Sequence, residues 1–315
     1  MIDFRYHLVS LVAVFLALAV GIVVGTATLH GPLQDRLTRD LSRTSSDNRL
    51  LEDEAAGLRA QLAASDAFAV AAGPRLLRGA LPGRRVLLVT TPQTPPELVE
   101  QLTPLLQTAG AQVTGTLQLM PELSDPTQNQ LVEDLVAQVV PAGAVLPDTG
   151  PVDRAAAELA AALVRPGRGP GVESQEAQAV VAAFSEAELV RFTPAADVLE
   201  PATLAVVLTG AAPAELPAAQ AAEQSAVLVL AAALDERSDG TVVVGPSGSA
   251  QERGPVRRLR ADAAAIRQVS SVDNGDRGTG QVAAVLALAE QLAGRSGQYG
   301  ADAGASAALP GPAAP

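Results

Sequence analysis

From Leu8 to Leu29 the chain reads LVSLVAVFLALAVGIVVGTATL, an apolar run without a charged residue. Wound as a helix at about 1.5 Å per residue, that run spans a hydrocarbon layer of about 30 Å. After His30, Gly31 and Pro32 the pattern changes to heptads. With Leu37 at position d, Leu41 falls at a, Thr44 at d, Asn48 at a, Leu51 at d, Ala55 at a, Leu58 at d and Leu62 at a. Steps that alternate between four and three predict a coiled coil, and a single Asn at an a position favours a parallel pair in fixed register. Inside the apolar run, Ala13, Ala17, Gly21 and Gly25 recur every fourth residue, which lets two helices approach closely in lipid.

These patterns predict a stub over 1–7, a transmembrane helix over 8–29 and a parallel coiled coil over 31–66. The predicted dimer contacts are Gly21, Gly25, Leu37, Leu41, Asn48, Leu51, Ala55, Leu58 and Leu62. Two competing readings stay open. The heptads also suit a lone amphipathic helix lying on the following domain. Gly25-Thr26-Ala27 also offers a signal-peptide cleavage site, although Arg5 is the lone basic side chain ahead of the run. The sparse basic charge and the length of the run favour an uncleaved anchor. Arg5 on one side and Arg36, Arg39 and Arg43 on the other do not orient it, because long domains cross largely regardless of charge. A short stub ahead of a large domain suits a cytoplasmic N-terminus with the bulk of the chain outside.

From about residue 75, short apolar runs alternate with longer amphipathic ones. Strands are predicted at Arg84–Val89, Val113–Leu119, Leu204–Thr209 and Thr241–Val244. Helices are predicted at Glu97–Ala109, Gln128–Val140, Asp153–Val164, Glu173–Leu189, Ala218–Leu234 and Gln281–Ala293. This alternation predicts an α/β domain over 74–295, with a mostly parallel sheet covered by helices. After Gly294 the chain becomes rich in Gly, Ala and Pro, and 296–315 is expected to be a disordered tail.

Composition narrows the chemistry. There is no cysteine, which excludes disulfides, thiolate metal sites and cysteine nucleophiles. All 22 basic residues are arginine, and the net charge of −12 argues against a nucleic-acid partner. Arg253, Arg257, Arg258, Arg260 and Arg267 form the densest basic stretch and read as a solvated face. The two histidines, His7 and His30, lie about 35 Å apart on a helix and cannot share a metal or a triad within one chain. Gly275, Gly278 and Gly280 do not match the dinucleotide fingerprint and follow no evident strand. Carboxylate pairs such as Asp273 with Asp276, or Glu133 with Asp134, read as solvated surface. The expectation is a non-enzyme with no evident cofactor and no assignable metal site. Thr90–Thr91 and Thr209–Gly210, at strand ends, mark where an open α/β sheet would bind a ligand.

Several ordered stretches carry a resemblance. They are Arg5–Leu18 with Gly21 and Gly25, Ala111–Thr116, Pro141–Ala144, Arg260–Asp262, Ser271–Asn274, Val285–Leu288 and Gln298–Gly300. Together they resemble the actinobacterial copper transport protein B family, whose mycobacterial members have been described as outer-membrane pores. The resemblance implies a single-pass cell-envelope protein with a coiled coil, an extracytoplasmic α/β domain and a role in copper transport or homeostasis. It also points to members linked to daughter-cell separation, acting with a membrane partner on peptidoglycan hydrolysis. Copper(I) prefers thiolate or thioether ligands and copper(II) prefers imidazole, whereas past His30 this chain offers only Met120 of those types. The copper role is therefore implied by resemblance alone, and a dimeric scaffold of the cell envelope is the alternative function.

Overall fold

The computed structural model describes residues 4–140, 147, 149–167, 174–196, 199–302 and 304–311, with backbone alone at 4–5 and 26–38. The stretch 141–144 and the side chains of His30 and Leu37 therefore lie outside the described residues. The chain divides into two units, Met1–Ala64 and Ser65–Pro315.

The first unit is helical. Helix α1 spans Phe4–Leu77 and continues without interruption through 30–32, where the sequence changes from the apolar run to heptads. Its last residues belong to the second unit, so that unit begins about ten residues earlier than the predicted boundary at 74. The reason is local packing. Ala69, Gly73 and Leu77 recur every fourth residue on one helix face, and they are buried there.

In the second unit, α1 is followed by β1 (Arg85–Thr90), α2 (Pro96–Thr108), β2 (Gln112–Leu119), α3 (Asn129–Val139), α4 (Pro151–Leu163), α5 (Ser174–Glu186) and β3 (Val190–Pro194). Then come β4 (Leu204–Leu208), α6 (Ala218–Glu236), β5 (Thr241–Val244), α7 (Pro255–Ala261), β6 (Ser270–Val272), α8 (Gly278–Gln291) and β7 (Gln298–Tyr299). The seven strands form one sheet in the order β3-β2-β1-β4-β5-β6-β7. Every pairing is parallel except β2 with β3, which is antiparallel. The α/β class with a mostly parallel sheet flanked by helices is as expected.

Alternation along the strands explains why their apolar runs are continuous. Leu87, Val89, Ala205, Val207 and Val243 enter one core with residues of α3, α4, α5 and α6. Val86, Leu88, Val206, Val242 and Val244 enter the other with residues of α2, α8 and the end of α1. Both faces are covered, so both sets of side chains must be apolar.

Three strands and one helix were not predicted. Strand β3 is a short edge strand with alternating exposure, and β6 and β7 are too short to show a period. The arginine-rich stretch contains α7, which buries Val256 and Leu259. The tail reading of 296–315 is corrected where the structure describes it. Tyr299 is 5% exposed, and β7 pairs with β6 at Ser271 and Val272.

The turn from α6 to β5 carries a pH-sensitive group. Asp235 Oδ1 accepts from Thr241 N at 2.9 Å, yet burial pushes its carboxyl up to about 6, with Glu236 adding to the shift. Because the folded state holds this proton more tightly than the unfolded chain, the contribution of Asp235 to stability falls as pH rises from about 4 through 6. Asp235→Asn keeps an acceptor for Thr241 N and removes the half-buried charge. The variant should be more stable than the parent at pH 7.5, by about 1–2 kcal/mol once solvent screening of the half-buried carboxylate is allowed for. Thermal unfolding at pH 4 and 7.5 checks this, and the gain should vanish at the lower pH.

Candidate functional site

The chain leaves β1 toward β2 on one side and β4 toward β5 on the other, so the boundary between β1 and β4 is the topological switch point. The strand ends marked in the sequence, Thr90–Thr91 and Thr209–Gly210, meet there. The loop after β1 folds over the crevice. Thr94 Oγ1 accepts from Thr91 N at 2.9 Å and donates to the Leu208 carbonyl at 2.8 Å. Gly210 lies so close beneath that loop that a Cβ there would stand 2.7 Å from the Gln93 carbonyl oxygen. Gln93 Nε2 in turn donates to Glu223 Oε2 of α6 at 3.0 Å.

Glu223 was missed in the sequence, because one acidic residue in an apolar helix gives no signal of its own. It is 7% exposed, and its second oxygen, Oε1, has no hydrogen-bond partner among the described residues. Burial raises its carboxyl above the ordinary range, opposed by the hydrogen bond from Gln93. The cavity that remains at this point is about 20 Å³. Pockets for nucleotides or drug-sized substrates run to hundreds of Å³. In this conformation the crevice holds no such molecule.

A second cluster lies at the β6 end of the sheet. It joins three stretches that carried the family resemblance. Arg260, on α7, is the centre: Nε donates to Ser271 Oγ at 2.9 Å, one terminal nitrogen to Asp273 Oδ2 at 2.7 Å and the other to the Tyr299 carbonyl at 2.7 Å. Asp273 also accepts from the backbone of Ala301 at 2.8 Å and of Asp302 at 3.2 Å. The side chains of Arg260 and Asp273 are 4% and 0% exposed. Tyr299 donates to Glu290, and burial together with that bond raises its phenol above the usual range. Gly300 has a φ of +133°, and a Cβ there would stand 2.0 Å from Asp273 Oδ1.

Three sequence readings are corrected here. Arg260 does not belong to a solvated face, because its guanidinium fork is engaged by three buried partners. Asp273 is not a surface carboxylate paired with Asp276. It is an ion-pair partner, while Asp276 Oδ1 accepts from Ser247 N at 2.6 Å. Gly275, Gly278 and Gly280 do follow a strand, β6, and lead into α8. The cluster is a fastening for the C-terminal segment, with its groups mutually satisfied.

Met120 lines a third feature, a cavity of about 400 Å³, with Glu122, Glu188 and Arg191. One thioether and two carboxylates beside a guanidinium make a poor set of donors for copper. Among the described residues, no three or more His, Cys, Asp and Glu side chains are grouped to hold a metal ion.

The predicted dimer contacts all fall on α1. Leu41, Leu51, Leu58 and Leu62 are 66%, 63%, 54% and 55% exposed, Asn48 is exposed and Ala55 half-buried. A Cβ at Gly21 or Gly25 would meet nothing within 4 Å. The segment Tyr6–Gly25, with mean hydropathy 2.9 and none of it buried, is long and apolar enough to cross a membrane.

Comparison with known proteins turns on the whole length of this arrangement. The family described as "Copper transport outer membrane protein, MctB" matches residues 1–310. The chain belongs to the MctB family. Proteins named Copper transporter MctB from Mycobacterium tuberculosis and Mycobacterium bovis are each 32% identical over 312 residues, covering 97% of this chain and 98% of theirs. The Mycobacterium leprae protein of that name is 31% identical over 315 residues, with the same coverage. MctB is thus a copper transport family rather than an enzyme family, and the apolar N-terminal helix fits a membrane location. The fold found here for an MctB-family chain is a helix-covered, mostly parallel sheet. Outer-membrane barrels are built of tilted antiparallel strands.

Proposed function

We propose that this chain serves copper homeostasis as a membrane-anchored envelope protein that works through protein contacts and is not itself the conduit. The observation that carries the reading is the family match over residues 1–310, which includes both the apolar helix and the α/β domain. The donor chemistry supports an indirect role: there is no cysteine, and there are two histidines and two methionines in 315 residues. In this reading the helix anchors the chain with its N-terminus in the cytoplasm and the α/β domain outside. A single apolar helix fills its own cross-section and leaves no aqueous path.

The exposed leucines of α1 favour a parallel coiled-coil dimer, which would hold paired domains at a set distance from the membrane. The same architecture suits the alternative function, a scaffold that acts with an envelope protein partner in daughter-cell separation or control of peptidoglycan hydrolases. Deleting the gene separates the two. Cell-associated copper should rise and return to normal on complementation, whereas unchanged copper with a division defect would favour the scaffold. Copper titration of the purified full chain should show no tight stoichiometric binding. Tight binding by calorimetry would contradict the indirect role.

A further inference from the structure

We propose that the switch-point crevice holds a compact monovalent cation of sodium size, bound by Glu223 together with neutral oxygens of the surrounding loop and helix. The inference is independent of the copper reading and rests on three observations.

The first is an uncompensated acid. Glu223 Oε1 is buried without a hydrogen-bond partner among the described residues, and leaving such an oxygen bare is costly. The nearby arginines are engaged elsewhere: Arg253 donates to the Ala214 carbonyl, and Arg258 donates to the Ala221 carbonyl at 3.2 Å. Among the described residues, Glu223 takes part in no salt bridge.

The second observation is the surrounding chemistry. Thr91, Gln93, Thr209, Gln220 and Gln224 line the same cavity. Gln93 spends its amide nitrogen on Glu223, and Gln224 spends its own on the Arg253 carbonyl at 3.1 Å. Each side chain keeps an amide oxygen as an acceptor, and Thr91 and Thr209 add hydroxyls to the lining. Carboxylate, amide and hydroxyl oxygens suit a hard cation and not copper.

The third is size and charge. A cavity of about 20 Å³ has room for one water-sized occupant. The site carries one carboxylate, so a monovalent ion leaves it neutral, whereas a divalent ion would leave an uncompensated buried positive charge. Burial raises the Glu223 carboxyl in the absence of such an ion, so protons and the cation compete for the site.

The test is thermal unfolding of the full chain in sodium, potassium and tetramethylammonium chloride at equal ionic strength. Sodium at ten times its dissociation constant should raise Tm by roughly 3–6 °C over tetramethylammonium. The gain should saturate and should disappear on acidification. Glu223→Gln should melt alike in sodium and tetramethylammonium. If that variant fails to fold, relaxation of the sodium nucleus by the parent chain, lost on acidification, supplies the second readout. Equal Tm in sodium and tetramethylammonium would identify the occupant as water or a proton and overturn the proposal. So would a sodium response that survives in Glu223→Gln, or sodium relaxation unaffected by acid.

Discussion

Replacing Arg260 with alanine should lower the stability of the α/β unit by about 3–5 kcal/mol, the scale for breaking a buried ion pair by removing one partner. The Asp273 carboxylate, 0% exposed, would keep its backbone donors at Ala301 and Asp302 but lose its compensating charge. Ser271 Oγ and the Tyr299 carbonyl would each lose a donor in the same step. The damage should spread along the chain, because these bonds hold β7 and residues 300–302 against β6. Arg260→Lys should rescue little, since an ammonium cannot reproduce the three-way fork of the guanidinium. Thermal unfolding of the full chain reads the loss of stability. Limited proteolysis should show earlier cleavage between α8 and the C-terminus. An Arg260→Ala chain that melts with the parent and resists cleavage equally would show that the pair is energetically idle.

The double substitution Leu51→Asp with Leu58→Asp should abolish dimerisation and leave the α/β domain folded. The two leucines are 63% and 54% exposed in the single chain, and they lie in the unit that ends at Ala64. Charging them therefore costs the isolated chain little. In a parallel coiled coil they occupy successive d positions, where a buried carboxylate meets its own copy across the seam. Cross-linking and sedimentation of the detergent-solubilised chain should show the parent as a dimer and the variant as a monomer, with matching far-ultraviolet spectra. A monomeric parent, or a variant that still dimerises, would remove the coiled coil from the proposed function. Complementation of the deletion strain by the monomeric variant would show that pairing is dispensable.

Features with a long period or a long run were legible in the sequence. The apolar stretch, the heptads, the strands β1, β2, β4 and β5 and the amphipathic helices around them depend on the order of polar and apolar residues. That order survives translation into one dimension. The tail illustrates what did not survive. Gln298-Tyr299-Gly300 sits in a Gly- and Ala-rich segment with no periodicity, and its order comes from Arg260 and Asp273, distant in sequence. Ser270 and Ser271 look wrong for a buried strand until Gln291 and Arg260 are seen to bond their hydroxyls. The same holds for Glu223, whose burial depends on a loop more than a hundred residues away.

By itself, then, the sequence determined the α/β class, the apolar N-terminal helix, the heptad stripe and the poverty of copper ligands. Each is a matter of local pattern or simple inventory. Only the tertiary structure decided which charges are buried together, which strand ends converge and how little room the crevice keeps. Burial and ion pairing depend on neighbours brought together by packing, and one-dimensional spacing carries almost no record of them.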